Sequence, residues 1–239
     1  MMACRYEVCD VMRDRIRNTL AKTPFLWRFK DKFAPRFPGS ATYWNRRYQS
    51  GGNSGPGSYG RLARFKAEIL NGFIAGRNVQ SVIEFGCGDG AQLESAKYPK
   101  YIGLDISANA IGLCKARYLS DDSKSFFLYD GDSFANKDGT FTAELGLSLD
   151  VIYHLIEDRV FERYMQHLFT VASRFVIVYS SNHDEIIPNT HVRHRKFSDY
   201  VAARFPEYSL IDKVEQRFPM KIHGEQDGSF CDFYIYGRI

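Results

Sequence analysis

The chain has 239 residues, 44% of them hydrophobic, and a formal net charge of +4. That length supports one large domain with a single core and falls short of two ordinary ones. So mild a basic bias does not by itself argue for nucleic acid. No apolar run reaches the ~18 residues of a membrane span, and the start lacks the apolar core of a secretory signal, so a cytoplasmic protein is expected. The five cysteines are Cys4, Cys9, Cys87, Cys114 and Cys231. They are odd in number and irregularly spaced, which reads as reduced thiols and not as a metal site or a disulfide framework.

Residues 1–40 read as a basic, aromatic-rich helical extension ahead of a domain over 41–239. Arg13, Arg15, Arg17, Lys22, Arg28, Lys30, Lys32 and Arg36 outnumber Asp14 and Asp31 there, and Ile16, Leu20, Phe25, Leu26, Phe29 and Phe33 are roughly helically spaced around Pro24. Such a segment packs on its own domain with a solvated basic face, or makes a peripheral membrane or partner contact through residues 12–37. Tyr43 and Trp44 then precede a glycine- and serine-rich loop, residues 48–60, whose composition resists packing. Leu62, Phe65, Ile69, Leu70 and Phe73 form one helical stripe, ended near Gly76.

From there strands and helices alternate. Strands are expected at 81–85, 101–104, 125–129, 144–149 and 174–179, with helices beginning near Gly90 and over 108–118, 158–172 and 198–205. The strand at 174–179 is apolar almost throughout, as a buried parallel strand should be. The rhythm then changes. Residues 208–218 and 231–239 read as two strands with no helix between them, so they should pair antiparallel. The turn joining them is expected around 225–228.

The chemistry concentrates at the first two strand ends. Glu84-Phe85-Gly86-Cys87-Gly88-Asp89-Gly90 places an acid ahead of three alternate glycines. Glycines after a strand let backbone approach a ligand closely. Asp105 ends the second strand at about the twenty-residue spacing of a strand–helix–strand unit, where an acid can accept hydrogen bonds from both ribose hydroxyls. A pyrophosphate would be repelled by Glu84 and Asp89, whereas a cation would be favoured. Cys87 reads as a small space-filler in this loop.

These residues resemble those of the class I S-adenosylmethionine-dependent methyltransferases. Glu84 with Gly86, Gly88 and Gly90 is similar to that family's first motif, Asp105 to its ribose-gripping acid, and Ile106 to the residue packed on the adenine. Asp132 with Ser133, or else Asp130, falls where the family has its acid facing the adenine amino group. Leu147 to Leu155 falls on its fourth motif. The resemblance implies an α/β fold: a Rossmann-like, doubly wound, seven-stranded sheet with five parallel strands and a C-terminal antiparallel hairpin. It also implies S-adenosyl-L-methionine as cofactor and an N-terminal lid over 41–60, with Tyr43 and Trp44 covering the cofactor.

Methyl transfer is an in-line displacement in which the enzyme mainly aligns its reactants, but an alcohol acceptor must also lose a proton. His154 is the first candidate base, His183 the second, and Asp150 is placed to orient one of them or the cofactor. Each also has a purely structural role open to it. His191, Arg193, His194, Arg195 and Lys196 form a basic cluster able to hold an anionic acceptor, or a solvated loop. The expected activity is methylation of a small-molecule or saccharide-type acceptor at oxygen. A methyltransferase of RNA or another macromolecule, and a non-catalytic cofactor-binding subunit, are the alternatives.

Overall fold

The computed structural model describes residues 37–220 and 228–239. The basic extension up to residue 36 and most of the expected turn at 225–228 lie outside the described residues. The element order is α1 (Ser40–Gln49), α2 (Gly60–Gly76), β1 (Val82–Phe85), β2 (Tyr101–Asp105), α3 (Ala108–Arg117), β3 (Lys124–Leu128), β4 (Ala143–Leu149), α4 (Asp158–Val171), β5 (Ala172–Ser180), β6 (Glu185–Ile186), β7 (Arg193–His194), α5 (Phe197–Arg204), β8 (Tyr208–Val214) and β9 (Asp232–Arg238).

Seven strands make the main sheet in the order β3-β2-β1-β4-β5-β9-β8. β1 through β5 are mutually parallel. β9 runs antiparallel between β5 and β8, so the C-terminal hairpin closes one edge. This is the architecture expected from the sequence. Alternation along the inner strands divides the core into two layers. Val176 and Val178 of β5 face the layer with Phe161, Met165 and Leu168 of α4 and Phe197 and Val201 of α5. Ile177 and Tyr179 face the layer with Phe65, Leu70 and Ile74 of α2 and Ile111 and Cys114 of α3. β9 repeats the pattern, with Tyr234 and Tyr236 on the first side and Phe233 and Ile235 on the second.

Two local expectations are corrected. No α-helix follows Gly90; Ala91–Ser95 is a 3-10 turn. The chain has only a few residues before Pro99, and the Asn71 side chain of α2 takes over the end of the turn, donating to Ser95 O at 2.8 Å and accepting from Lys97 N at 2.8 Å. The stretch after β5 is not a plain loop either, because β6 and β7 pair as a small antiparallel ribbon. The wind reverses once, after β3: β2 and β3 lie on one side of β1, β4 and β5 on the other. The crevice at that reversal is where open α/β sheets bind ligands. Among the described residues no helix is long and apolar enough to cross a membrane.

Candidate active site

A cavity of about 340 Å³ opens at this switch point. Its lining comes from the carboxyl ends of β1 to β4, from α1 and from the glycine- and serine-rich loop after it. Glu84, Gly86 and Gly88 of the first motif, Asp105 and Ile106 at the tip of β2, and Asp130 and Asp132 after β3 all line it. Trp44, Asp150 and His154 complete the set of sequence-selected residues on its wall.

The glycines are required by close approach. Gly86 has φ +83 and a Cβ there would sit 2.4 Å from Val151 Cγ2; Gly88 has φ +59 and its Cβ would sit 2.3 Å from Ser54 Oγ. Both conformations favour a residue without a side chain. Asp105 is fixed by two backbone donors, Gly88 N to Oδ2 at 3.0 Å and Ser107 N to Oδ1 at 2.8 Å. Burial still dominates and pushes its pKa up to about 6. Glu84 accepts from the Tyr101 hydroxyl at 2.7 Å, and burial pushes its pKa up to about 7. Gln92 donates to Ala63 O at 3.1 Å, which fixes the amide orientation, and its buried Oε1 lacks a partner among the described residues. That oxygen, on the cavity wall, is ready for a hydrogen-bond donor.

The cover is latched onto the glycine motif. Tyr48 of α1 and Ser54 of the loop share a hydroxyl contact at 2.9 Å, and Ser54 Oγ donates to Asp89 Oδ1 at 2.8 Å. The Tyr59 hydroxyl donates to Asp89 Oδ2. At its other end α1 is tied down by Ser40, whose hydroxyl donates to Glu157 Oε2 at 2.7 Å and accepts from Ile156 N at 3.0 Å.

Asp150, after β4, holds φ +60 and forms an ion pair with Lys66 of α2 at 2.6 Å. Lys66 is only 1% exposed and Asp150 16%. The Tyr153 hydroxyl donates to the other Asp150 oxygen at 3.1 Å. His154 Nδ1 lies 2.8 Å from His191 O. A carbonyl only accepts, so Nδ1 carries the proton and Nε2 keeps its lone pair. Burial lowers the His154 pKa to about 4, so the ring is neutral. Trp44 packs edge-on against it, with ring centroids 4.8 Å apart.

Several sequence-selected residues sit off this wall. Gly90 turns the chain with φ +75 and accepts from the Tyr118 hydroxyl through its carbonyl. Ser133 donates to Asp130 at 2.7 Å. Asp132 does reach the wall but is paired with Arg163. Tyr43 stacks on His191 at 4.6 Å instead of lining the cavity. His183 stands in the bend before β6, beside Glu185. The basic cluster is largely engaged: Arg193 and Arg195 donate to the carbonyls of Leu155 and Ile156 and pair with Asp158, and Lys196 pairs with Asp199. Besides Lys66, which is paired with Asp150, the cations lining the cavity are Arg159 and Arg163 of α4. Both also line an adjoining surface groove with Arg204 of α5. Arg159 and Arg204 have no ion-pair partner among the described residues. Cys87 is buried on the wall, where the neighbouring Cys114 thiol and burial push its pKa up, as suits a space-filler.

Lys66, Gln92, Arg159 and Arg163 escaped the sequence reading; Tyr48 and Ser54 entered it only as part of the segment 41–60. Lys66 carried one usable signal, a cation inside the buried stripe of an amphipathic helix.

No family model matches the chain. A stretch of 136 residues, 52% of the chain, is 28% identical to the small RNA 2'-O-methyltransferase of Arabidopsis thaliana and spans 14% of that protein's length. In three dimensions the chain is similar to the N-methyltransferase NodS of Bradyrhizobium japonicum, solved with S-adenosyl-L-homocysteine, with a TM-score of 0.63 and 14% identity over 84% of this chain and 98% of the other. It is likewise similar to the magnesium protoporphyrin IX methyltransferase ChlM of Synechocystis, with a TM-score of 0.58 and 14% identity over 83% of this chain and 98% of the other. At these identities the likeness is one of fold: the chain has the class I S-adenosylmethionine-dependent methyltransferase fold.

Proposed function

We propose that the protein is an S-adenosylmethionine-dependent methyltransferase that methylates a hydroxyl of a small or saccharide-type acceptor carrying an anionic group. The observation that carries this reading is that Asp105, the glycine backbone and a neutral His154 line one and the same cavity. The residues present fit the cofactor. Asp105 has the carboxylate for two ribose hydroxyls, Ile106 an apolar face for the adenine, and the glycine loop room for close approach. Gln92 Oε1 and Glu84 supply acceptors for an ammonium group. When bound, the cofactor supplies an activated methyl group, which leaves the chain the work of alignment and proton handling.

His154 does that work on the acceptor side. Its unprotonated Nε2 can accept a hydrogen bond from a hydroxyl and take its proton as the oxygen is alkylated. Asp150, paired with Lys66, accepts from the Tyr153 hydroxyl, and the Tyr153 ring packs against His154 at 4.3 Å between centroids. α1 excludes water from the site through Trp44. Arg159 and Arg163 supply the cations for a phosphate or carboxylate on the acceptor.

A second reading, favoured by the match to the plant enzyme, is that the hydroxyl belongs to a ribose at an RNA terminus and that the arginine groove takes the backbone phosphate. Calorimetry with S-adenosylhomocysteine tests the first half of the proposal. One molecule should bind per chain, and Asp105→Ala should weaken binding at least about tenfold, the loss of charge-assisted hydrogen bonds. Methyl-transfer assays on sugar phosphates and on short RNAs test the second half. Transfer to sugar phosphates supports the small-acceptor reading, and transfer confined to RNA, weakened by salt, replaces it with the macromolecular one. The absence of cofactor binding at millimolar ligand would overturn both.

A further inference from the structure

Beyond β5 the ribbon brings together three side chains that the methyl-transfer reading does not use. The β6–β7 register sets His194 directly opposite Glu185. Directly opposed side chains of an antiparallel pair share a face. His183 stands in the bend just before β6, two residues ahead of Glu185. One ligand atom from each of His183, Glu185 and His194 lies within 4.8 Å of the others.

The details suit a metal ion. His183 Nε2 and Glu185 Oε2 are 3.4 Å apart, and the imidazoles of His183 and His194 stack with centroids 4.5 Å apart. Four donors at roughly 2.0–2.1 Å around a tetrahedral ion are separated by about 3.3–3.4 Å, so one edge is already at that spacing. His194 is 6% exposed, and its Nδ1 lies 2.6 Å from Ser181 Oγ. That hydroxyl leaves Nε2 as the nitrogen facing the cluster and fixes the ring, the usual arrangement behind a metal-bound histidine.

We propose that His183, Glu185 and His194 bind one divalent transition-metal ion of the zinc class, with water in the remaining position, and that the ion staples β6 to β7. Two imidazoles and one carboxylate favour such an ion over magnesium or calcium, which take oxygen donors. The ribbon's far turn carries His191. The His191 carbonyl accepts the His154 Nδ1 proton and its ring stacks on Tyr43 of α1. Bound metal would therefore steady the segment that fixes the His154 tautomer and backs the cover.

The test is calorimetric titration of the chelator-treated full chain with zinc chloride, repeated on His183→Ala and Glu185→Gln. Both side chains are more than half exposed, at 54% and 58%, so neither substitution threatens folding. One ion per chain should bind with a dissociation constant near or below about 1 μM, and each substitution should weaken binding at least about tenfold. Circular dichroism and S-adenosylhomocysteine binding should be unchanged in both variants, which separates this site from the cofactor site. No saturable binding at about 100 μM zinc, or tight binding that survives either substitution, overturns the proposal.

Discussion

At Gly88 the backbone, a carboxylate and the cover meet in one residue. Its N–H donates to Asp105, and the space where a Cβ would stand is filled by Ser54 Oγ and the Tyr48 hydroxyl. Gly88→Ala should therefore fold but lose most affinity for S-adenosylhomocysteine, at least about tenfold by calorimetry, because positive φ and the clash both displace the loop. Lys66 tests a different principle. Removing a buried cation strands its partner charge, so Lys66→Met should destabilise the protein by about 3 kcal/mol in urea unfolding. The double variant Lys66→Met with Asp150→Asn should recover part of that loss, and asparagine tolerates the positive φ at 150. The contrast between these residues explains what the sequence could reveal. Glu84, Gly86, Gly88 and Asp105 are legible because their roles are set by local spacing around strand ends. Lys66 and Gln92 gain theirs from helices or turns packed across the sheet, and no spacing announces that. His183 was a candidate base and Tyr43 a candidate cover for the cofactor, yet His183 stands in the bend before β6 and Tyr43 stacks on His191, both off the cavity wall.

Among the elements, α1 and the loop after it depend on a few hydroxyls. Ser54 alone joins Tyr48 to Asp89, through contacts of 2.9 and 2.8 Å. Ser54→Ala should raise the dissociation rate of S-adenosylhomocysteine about five- to tenfold in stopped-flow displacement, the loss of one or two hydrogen bonds that hold the cover shut. The fold itself should be unaffected, since Ser54 packs in neither core layer. The order of elements was readable from alternating apolar runs, and so was the antiparallel tail, because a strand pair with no crossover helix can only pair that way. The ribbon β6–β7 was not readable. Each of its strands is two residues long, too short to show alternation. The missing helix after Gly90 failed for another reason: side-chain capture by Asn71 overrides a weak local preference.

For the whole molecule, the apo site carries an electrostatic cost that pH should expose. Asp105 and Glu84 have pKa values raised to about 6 and about 7 in the folded chain, both by burial. Unfolded, each would ionise near its ordinary value of about 4. Between those values the folded state holds protons that the unfolded chain has released, so stability from these groups is complete below about pH 4 and is lost as pH rises through 6 to 7. Each group then costs on the order of 3 kcal/mol at pH 8. Asp89 and Asp158 act in the opposite sense. The Tyr59 and Ser54 hydroxyls and the Ala91 N–H hold the Asp89 pKa low against burial, and Arg195 and Arg193 do so for Asp158. Their stabilisation is present above about pH 4 and disappears as pH falls through their lowered values. The two sets together place maximal apo stability near pH 4, where both contributions are largely present, and differential scanning calorimetry from pH 3 to 9 should show it. A ligand that offers hydroxyls to Asp105 and a cation to Glu84 favours their ionised forms and offsets that cost. Saturating S-adenosylmethionine should therefore raise the melting temperature more at pH 8 than at pH 5.5. His154, already neutral above about pH 4, contributes nothing to that difference. A ligand-induced shift of equal size at both pH values would mean that the two buried carboxylates do not face the cofactor.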